Sequence, residues 1–361
     1  MCIKRARYIM QNCSKPILVN GPTSTKFTRK LGTGQHWRFL KTLTLIYFFL
    51  ELHAAGQFDL AIIVSGTRQR FIPESIQTLA RNVVAAQIHQ GFTVDVFAVL
   101  QEGHSNKRYH SANWTLVTHR YADQRSEFMR ALTSAGAQHK HFASYDKPTI
   151  KQLNEYFPVN MTMLRDGRYG RRTTRRKVQF DRNMCMLQNL YMSYITLRAH
   201  ELNARQGRPY DIYVRTRSDN YFFSPHLSYQ GFVGKRASVI TPKCDSRGGI
   251  YDKFMLFTNS FVADLFFNVF HGGFKQIWEW NILHVGIRSL WELDVSRSVY
   301  NAEMLWMTLF KTNAVAVHTV AATSMPLAHV AYHQSLNFST ELCFREMCGI
   351  RGHQTAAKSV C

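Results

Sequence analysis

Apolar positions along this chain follow two periods. Leu60 to Val64 (LAIIV) and Thr93 to Leu100 (TVDVFAVL) are almost unbroken apolar runs, as in strands buried on both faces of a parallel sheet. Between them Ile76, Leu79, Val83 and Ile88 recur near one face of a helix over about Glu74 to Gln90, with Pro73 at its start and Gly91 just past its end. Strand, helix and strand at this spacing predict a right-handed βαβ unit. A second helix, about Asp181 to Ala204, carries Met184, Leu187, Tyr191, Tyr194 and Leu197 on one stripe, and Gly207 and Pro209 end it. That stripe reads as a core face rather than a ligand box. Ile212 to Val214 opens the next strand. Ser238 to Thr241, Phe254 to Phe257 and Ala314 to Val320 read as further strands, with helices at Ser260 to Phe270 and Asn301 to Lys311. Gln152 to Phe157 reads as the end of a short helix before Pro158, while residues 101 to 148, polar and His-rich, have too weak a period to place. The expected class is α/β, with a mostly parallel, Rossmann-like sheet flanked by helices.

One apolar run stands apart from that pattern, with a buried helix of the globular domain as its alternative reading. Thr42 to Leu50 (TLTLIYFFL) is uncharged, follows a basic irregular segment and precedes ELHAAGQ. It is too short for a free membrane span but suits the apolar region of a signal sequence, with Ala54 and Gly56 at plausible cleavage positions. The basic stretch ahead of it better suits an uncleaved anchor. The expected organisation is a basic tail (1–38), a signal anchor or signal peptide (39–56), an α/β domain (57–325) and a C-terminal extension (326–361).

Charge sharpens this division. The 361 residues carry a formal charge of +22, and 45% of them are apolar, enough for a large core. Residues 1 to 58 contribute +8, nine Lys/Arg against Glu51, and residues 164 to 182 contribute +6, eight Lys/Arg against Asp166 and Asp181. The run from Arg165 to Lys177 (RDGRYGRRTTRRK) reads as a solvated loop. Such a field attracts anionic ligands generally and does not by itself choose a partner. The seven cysteines show no spacing suited to zinc, and Cys343 and Cys348 either close a small disulfide loop, if the C-terminus lies in an oxidising compartment, or are two reduced surface thiols. Three sequons, at Asn113, Asn160 and Asn337, are compatible with secretion.

The candidate chemistry lies where strands end. In open α/β sheets, ligands settle beyond the carboxyl ends of the strands. Ser65 to Arg70 (SGTRQR) follows the first strand, with Gly66 allowing close backbone approach and Arg68 or Arg70 able to fork onto phosphate oxygens. Residues 210 to 223 (YDIYVRTRSDNYFF) end the central strand with Arg215, Arg217 and Asp219, which alternation sends to one side. Two cations and a carboxylate suit a diphosphate. The alternative is that Asp219 pairs with an arginine and closes the strand end.

LAIIVSGTRQRF, YDIYVRTRSDNYFF, GGIYDKFMLF (Gly248 to Phe257) and NAEMLWMTLF (Asn301 to Phe310), in that order, resemble the GT-A-type, nucleotide-sugar-dependent glycosyltransferases, many of them Golgi type II membrane proteins. The resemblance covers roughly residues 58 to 320, and its most specific part is R-x-R-x-D followed by G-G-x-x-D. It implies a GT-A-like sheet, a nucleotide-sugar donor, a glycan or protein acceptor, and a membrane-anchored enzyme whose catalytic domain is lumenal. Gly66 and Arg68 would touch the nucleotide, with Arg70, Arg215 and Arg217 on the phosphates. Asp219 would stand at the metal-binding D-x-D carboxylate, with Mn2+ or Mg2+ as the cation. Gly249, Tyr251 and Asp252 would lie beside the donor sugar or acceptor, and Glu303 would be a candidate base. Asp252 and Glu303 also have plainer readings, as a surface ion pair with Lys253 and as a first-turn helix acid. Arg217-Ser218-Asp219 supplies one carboxylate where D-x-D supplies two, so arginines in place of the metal are an open alternative. Two rival readings are a sulfotransferase, for which Ser65-Gly66-Thr67 is suggestive although Val64 replaces the expected lysine, and a polyanion- or RNA-binding protein using Arg165 to Lys177. That run has only Tyr169 for stacking, so nucleic acid ranks low.

Overall fold

The computed structural model describes residues 58–102, 114–116, 123–149, 152, 174–244, 250–269, 302–335 and 340–349. All fall in one compact unit, Gln57–Cys361. Its described strands, in chain order, are β1 (Phe58–Thr67), β2 (Phe92–Gln101), β3 (Trp114–Leu116), β4 (His139–Tyr145), β5 (Ile212–Arg217), β6 (Asn220–Phe222), β7 (Ser238–Pro242), β8 (Phe254–Phe257), β9 (Ala316–Val320), β10 (Leu327–Ser335) and β11 (Thr340–Cys348).

Seven of these strands form the central sheet in the order β4-β2-β1-β5-β8-β7-β9. Neighbouring pairs are parallel except that β8 runs antiparallel to both β5 and β7. This is a mostly parallel, Rossmann-like α/β sheet, as expected. The register places Leu60 beside Ile212 and Ser65 beside Arg217, so β1 and β5 end together. Leu60 through Val64 are 0% exposed, the signature of a strand covered on both faces.

Two helical layers provide that cover. On one face, α1 (Pro73–Leu79) continues through a π-helical stretch, Ala80–Ala85, and a last turn, Ala86–Ile88. It packs Ile76, Leu79 and Val83 with Phe128 and Leu132 of α2 (Gln124–Ser134). In the π-helical stretch, Asn82 donates its side-chain amide to the Phe222 carbonyl (2.6 Å) and accepts from the His226 amide through its own carbonyl (2.9 Å). On the other face, Met184, Leu187 and Leu197 of α3 (Thr174–Asn203) meet Phe266 of α4 (Ser260–Phe267) and Trp306 and Phe310 of α5 (Ala302–Thr312). Each large apolar side chain so buried contributes roughly 1.5–3 kcal/mol relative to exposure.

Three differences from expectation have physical causes. Residues 124–145 contain α2 and β4. The helix is opened by Asp123, whose carboxylate accepts the Ser126 amide (3.2 Å), and β4 is an edge strand, nowhere fully buried, so no continuous apolar run marked it. Helix α3 begins at Thr174, inside the basic run expected to be a loop. Arginine and lysine are good helix formers, so high charge alone did not mark a loop there. Cys348 is disulfide-bonded to Cys244, not Cys343, with Cα atoms 5.7 Å apart.

That bond ties down a second sheet, β11-β10-β3, whose central β10 also pairs with β6. Thr42 to Leu50, residues 165–173, Gly249 and the three sequon asparagines lie outside the described residues. Among the described residues no helix is long and apolar enough to cross a membrane.

Candidate active site

The ends of β1 and β5 are stitched to each other before any ligand is considered. Ser218, just past β5, donates its amide to the Ser65 carbonyl and its hydroxyl to the Thr67 carbonyl, each at 3.1 Å. Gly66 lies against it with φ 149°, and a Cβ at Gly66 would come 2.3 Å from the Ser218 Oγ. Glycine is required there for contact within the fold as well as for its backbone angle.

Asp219 follows and is buried, 3% exposed. Arg217 grips it with two bonds, Nε to Oδ1 and Nη2 to Oδ2, both 2.9 Å, and Arg70 adds Nη1 to Oδ2 at 3.1 Å. Its carbonyl accepts the Val330 amide of β10 at 2.8 Å. Burial pushes the carboxyl upward in pKa, but the charges of Arg217, His329 and Arg70 outweigh burial and hold it well below the ordinary range. The pairing alternative is therefore realised, with Arg217 and with a second partner, Arg70. Asp219 lies in the turn after β5 rather than on the strand, and folds back on Arg217.

Arg215 is placed differently. It is 3% exposed, donates Nε to the Ser65 Oγ at 3.1 Å, and holds its guanidinium carbon 5.9 Å from the Phe266 ring centroid. Its Nη1 is buried without a hydrogen-bond partner among the described residues. Burial pushes this group down to about 10, against the pull of Asp252, so it is still a cation at neutral pH. Asp252 is 7% exposed and faces Arg215 electrostatically. It is a buried acid rather than one on the surface.

Around these groups, Tyr251 is 3% exposed beneath the Lys253 ammonium, 4.7 Å from its ring centroid, and its carbonyl accepts the Thr241 hydroxyl at 3.0 Å. Glu303 does sit in the first turn of α5 but is buried, 7% exposed, and its carbonyl accepts the Ile250 amide at 3.1 Å, which sets that turn against the segment leading to Asp252. Arg68 stands apart: it bonds Glu102 at 2.6 Å and Gln124 at 3.1 Å, bracing the ends of β1 and β2 against α2.

No protein-family profile and no curated protein sequence matches this chain. Among solved structures, mouse xyloside xylosyltransferase 1 in its apo form aligns over 74% of this chain and 86% of that chain, with 10% sequence identity and a TM-score of 0.28. That likeness is slight and adds nothing to the geometry above.

The same geometry tests the divalent cation that the GT-A resemblance implies. Both oxygens of Asp219 already accept guanidinium N–H groups, and the charges closest to it are cationic. Among the described residues, no group of three or more His, Cys, Asp or Glu side chains is placed to hold a metal. This donor set does not fit Mn2+ or Mg2+, which seek several oxygen ligands.

Ser218 and His329 take part in the site without having been singled out from the sequence, and Ser65, read there as part of a phosphate-binding element, instead accepts from Arg215. A serine beside a charged motif gives no distinctive signal, and His329 reaches Asp219 only through the pairing of β10 with β6.

Proposed function

We propose that this protein is a glycosyltransferase that moves a sugar from a nucleotide-sugar donor to a glycan or protein acceptor, holding the donor diphosphate with arginines instead of a divalent cation. The observation that carries the reading is Arg215: a buried cation at the carboxyl end of a central parallel strand, with Nε anchored and Nη1 unmatched. Burying an unmatched N–H costs on the order of 1–3 kcal/mol, and an anionic ligand would recover that. Transfer builds negative charge on the departing diphosphate, so a fixed cation in a dry site favours the transition state over the ground state. Arg217 and Arg70, oriented by Asp219, would complete the cationic wall. Asp252 and Glu303 are the carboxylates from which an inverting transfer would draw its base, whereas a retaining transfer has no such obligatory base.

The sulfate-transfer alternative is less favoured, because Ser65-Gly66-Thr67 packs under Ser218 rather than forming an open phosphate cradle. A secretory location, with a lumenal domain behind an N-terminal anchor, is part of the proposal. The Cys244–Cys348 disulfide supports an oxidising compartment.

The test is incubation with a panel of UDP- and GDP-sugars and a sulfate donor, with and without EDTA. Hydrolysis of one nucleotide sugar, undiminished by EDTA and reduced on the order of 100-fold or more in Arg215→Met, is the expected result. Turnover of the sulfate donor alone, or of none, defeats the reading. Loss in EDTA with recovery on adding manganese would leave the activity standing and remove the arginine substitution from it.

A further inference from the structure

The amino-terminal end of the sheet, opposite the strand ends that carry Arg215, holds a concavity that the proposed sugar transfer does not use. Where β1, β2 and β4 begin and α3 ends, a cavity of about 520 Å3 is lined by Asp59, Asp95, His139, His200, Arg205 and Arg208, among others. That volume lies within the range of small-ligand sites, roughly 300–1,000 Å3.

Asp95 interrupts the apolar run of β2 and is 3% exposed. Its Oδ2 accepts the Tyr210 hydroxyl at 2.6 Å and lies 3.4 Å from His200 Nε2, while Oδ1 accepts the His139 amide at 3.0 Å. The imidazoles of His139 and His200 lie with centroids 4.0 Å apart and planes tilted by 30°, and Phe97 packs against both. Arg205 is engaged with Asp59 at 2.5 Å and lies over the Tyr210 ring at 4.0 Å. Arg208 is exposed and bonds a carbonyl, that of Arg205, at 3.4 Å.

Both carboxylates are thus answered from within the fold. With neutral imidazoles the lining charges cancel, Asp59 and Asp95 against Arg205 and Arg208, and with both imidazoles protonated the lining carries +2. Asp95 faces His200 at 3.4 Å, so a proton on His139 as well would set two cationic rings 4.0 Å apart, a repulsion that a bound anion offsets.

We propose that this cavity is a second ligand site, for a small oxyanion such as a phosphate or sulfate group, taken up together with a proton on the His139–His200 pair. The charges that face the pair come from every neighbouring element: Asp95 from β2, Lys140 and His141 from β4, Asp59 from β1, and Arg205 and Arg208 from beyond α3, with Arg125 of α2 acting on His141. Burial, then His200, holds the His139 imidazole below its ordinary value, and the same two causes hold His141 down. His139 is therefore the ring whose protonation an anion would favour, and an anion that draws a proton onto it binds more tightly as pH falls.

The test is calorimetric titration of the full chain at pH 7.5, 6.5 and 5.5 with inorganic phosphate, sulfate and glucose 6-phosphate. It is run in the Arg215→Met background, so that an anion held by Arg215 does not contribute. Expected are one anion per chain, proton uptake seen as a dependence on buffer ionisation enthalpy, and tightening of up to about tenfold per pH unit for each proton bound. His139→Gln removes the pH dependence. Arg208→Ala, a surface change that leaves the melting temperature alone, weakens binding at every pH. Preference for glucose 6-phosphate would identify a phosphoryl group on a larger ligand, and preference for the inorganic anions the free ion. Absence of binding at pH 5.5, binding without proton uptake, or equal affinity in His139→Gln and Arg208→Ala would overturn the proposal.

Discussion

Replacing Asp219 with asparagine separates what the charge cluster does for the fold from what it does for a ligand. The carboxylate is 5% exposed at its side chain and takes three guanidinium N–H bonds. Asparagine keeps the shape, removes the charge and turns an amide N–H against a guanidinium donor. Removing one partner of a buried ion pair costs about 3–5 kcal/mol, and the lower end applies because Arg217, at 27% side-chain exposure, can rehydrate. With an unfolding entropy of about 2.1 cal/mol/K per residue over roughly 300 residues, 3 kcal/mol lowers Tm by about 5 °C. Calorimetry at pH 7 reads that shift directly, and an Arg217→Gln, Asp219→Asn cycle should fall short of additivity by about 0.5–3 kcal/mol. Because the folded pKa of Asp219 is depressed, its contribution is fully present above the ordinary value of 3.8 and is lost as pH falls through the folded value. Parent and variant should therefore differ by a constant amount from pH 5 to 8 and converge only at lower pH. A variant melting within 1 °C of the parent, or an additive cycle, would refute the pairing. Donor turnover on the same preparations at 25 °C completes the assay: a loss no larger than the unfolded fraction would confine Asp219 to structure.

Other consequences are as direct. Gly66→Ala should cost about 1–3 kcal/mol in urea unfolding, since its Cβ would meet Ser218 at 2.3 Å and φ is 149°; Ser218→Gly should rescue only the steric part. Cys348→Ser opens a cross-link spanning 104 residues and should lose up to about 4.7 kcal/mol, and peptide mapping without reductant should recover Cys244 joined to Cys348. Burial pushes the His226 imidazole down to about 3 from 6.5, so the unfolded chain binds a proton first and stability declines as pH falls from 6.5 toward 3, by up to about 1.4 kcal/mol per unit. His226→Gln should flatten that slope in pH-dependent melting, and an unchanged slope would show that His226 is not the group responsible.

The central strands were legible because burial on both faces leaves no choice of residue: LAIIV and FMLF are apolar throughout and occupy β1 and β8. The α3 stripe was legible for the complementary reason, with Met184, Leu187 and Leu197 buried at helical spacing and Tyr191 and Tyr194 packed partly against them. What escaped depends on pairings remote in sequence. β10 and β11 are held in place through β6 and through Cys244, neither of which leaves a periodic trace nearby. Asp95 was passed over as one polar letter in an apolar run. A carboxylate in the middle of a buried strand is costly unless partnered, and its partners Tyr210, His139 and His200 come from three different places in the chain. At the site, the positions of the charges and the pairing of Asp219 with Arg217 were legible, and the remaining partners were not. Arg217 and Asp219 are two residues apart and were bound to meet, whereas Arg70 and Glu102 entered only through the fold.

The three arginines at the strand ends are not equivalent toward an anion, and the difference follows from their partners. Arg217 and Arg70 are already engaged with a carboxylate, so a phosphate reaching for those donors must displace Asp219 or share its N–H groups. Arg215 surrenders nothing comparable: its Nε is held by a neutral hydroxyl and its Nη1 by no hydrogen bond among the described residues. Arg70, Arg215 and Arg217 against Asp219 and Asp252 leave one net positive charge in the cluster, enough to attract an anion without making the empty site collapse under repulsion. Substitution of Arg217 by lysine should therefore disturb stability more than donor affinity, because a point charge cannot reproduce the two-bond grip on Asp219. Substitution of Arg215 by lysine should do the reverse, as the loss falls on a donor that the fold itself leaves unused.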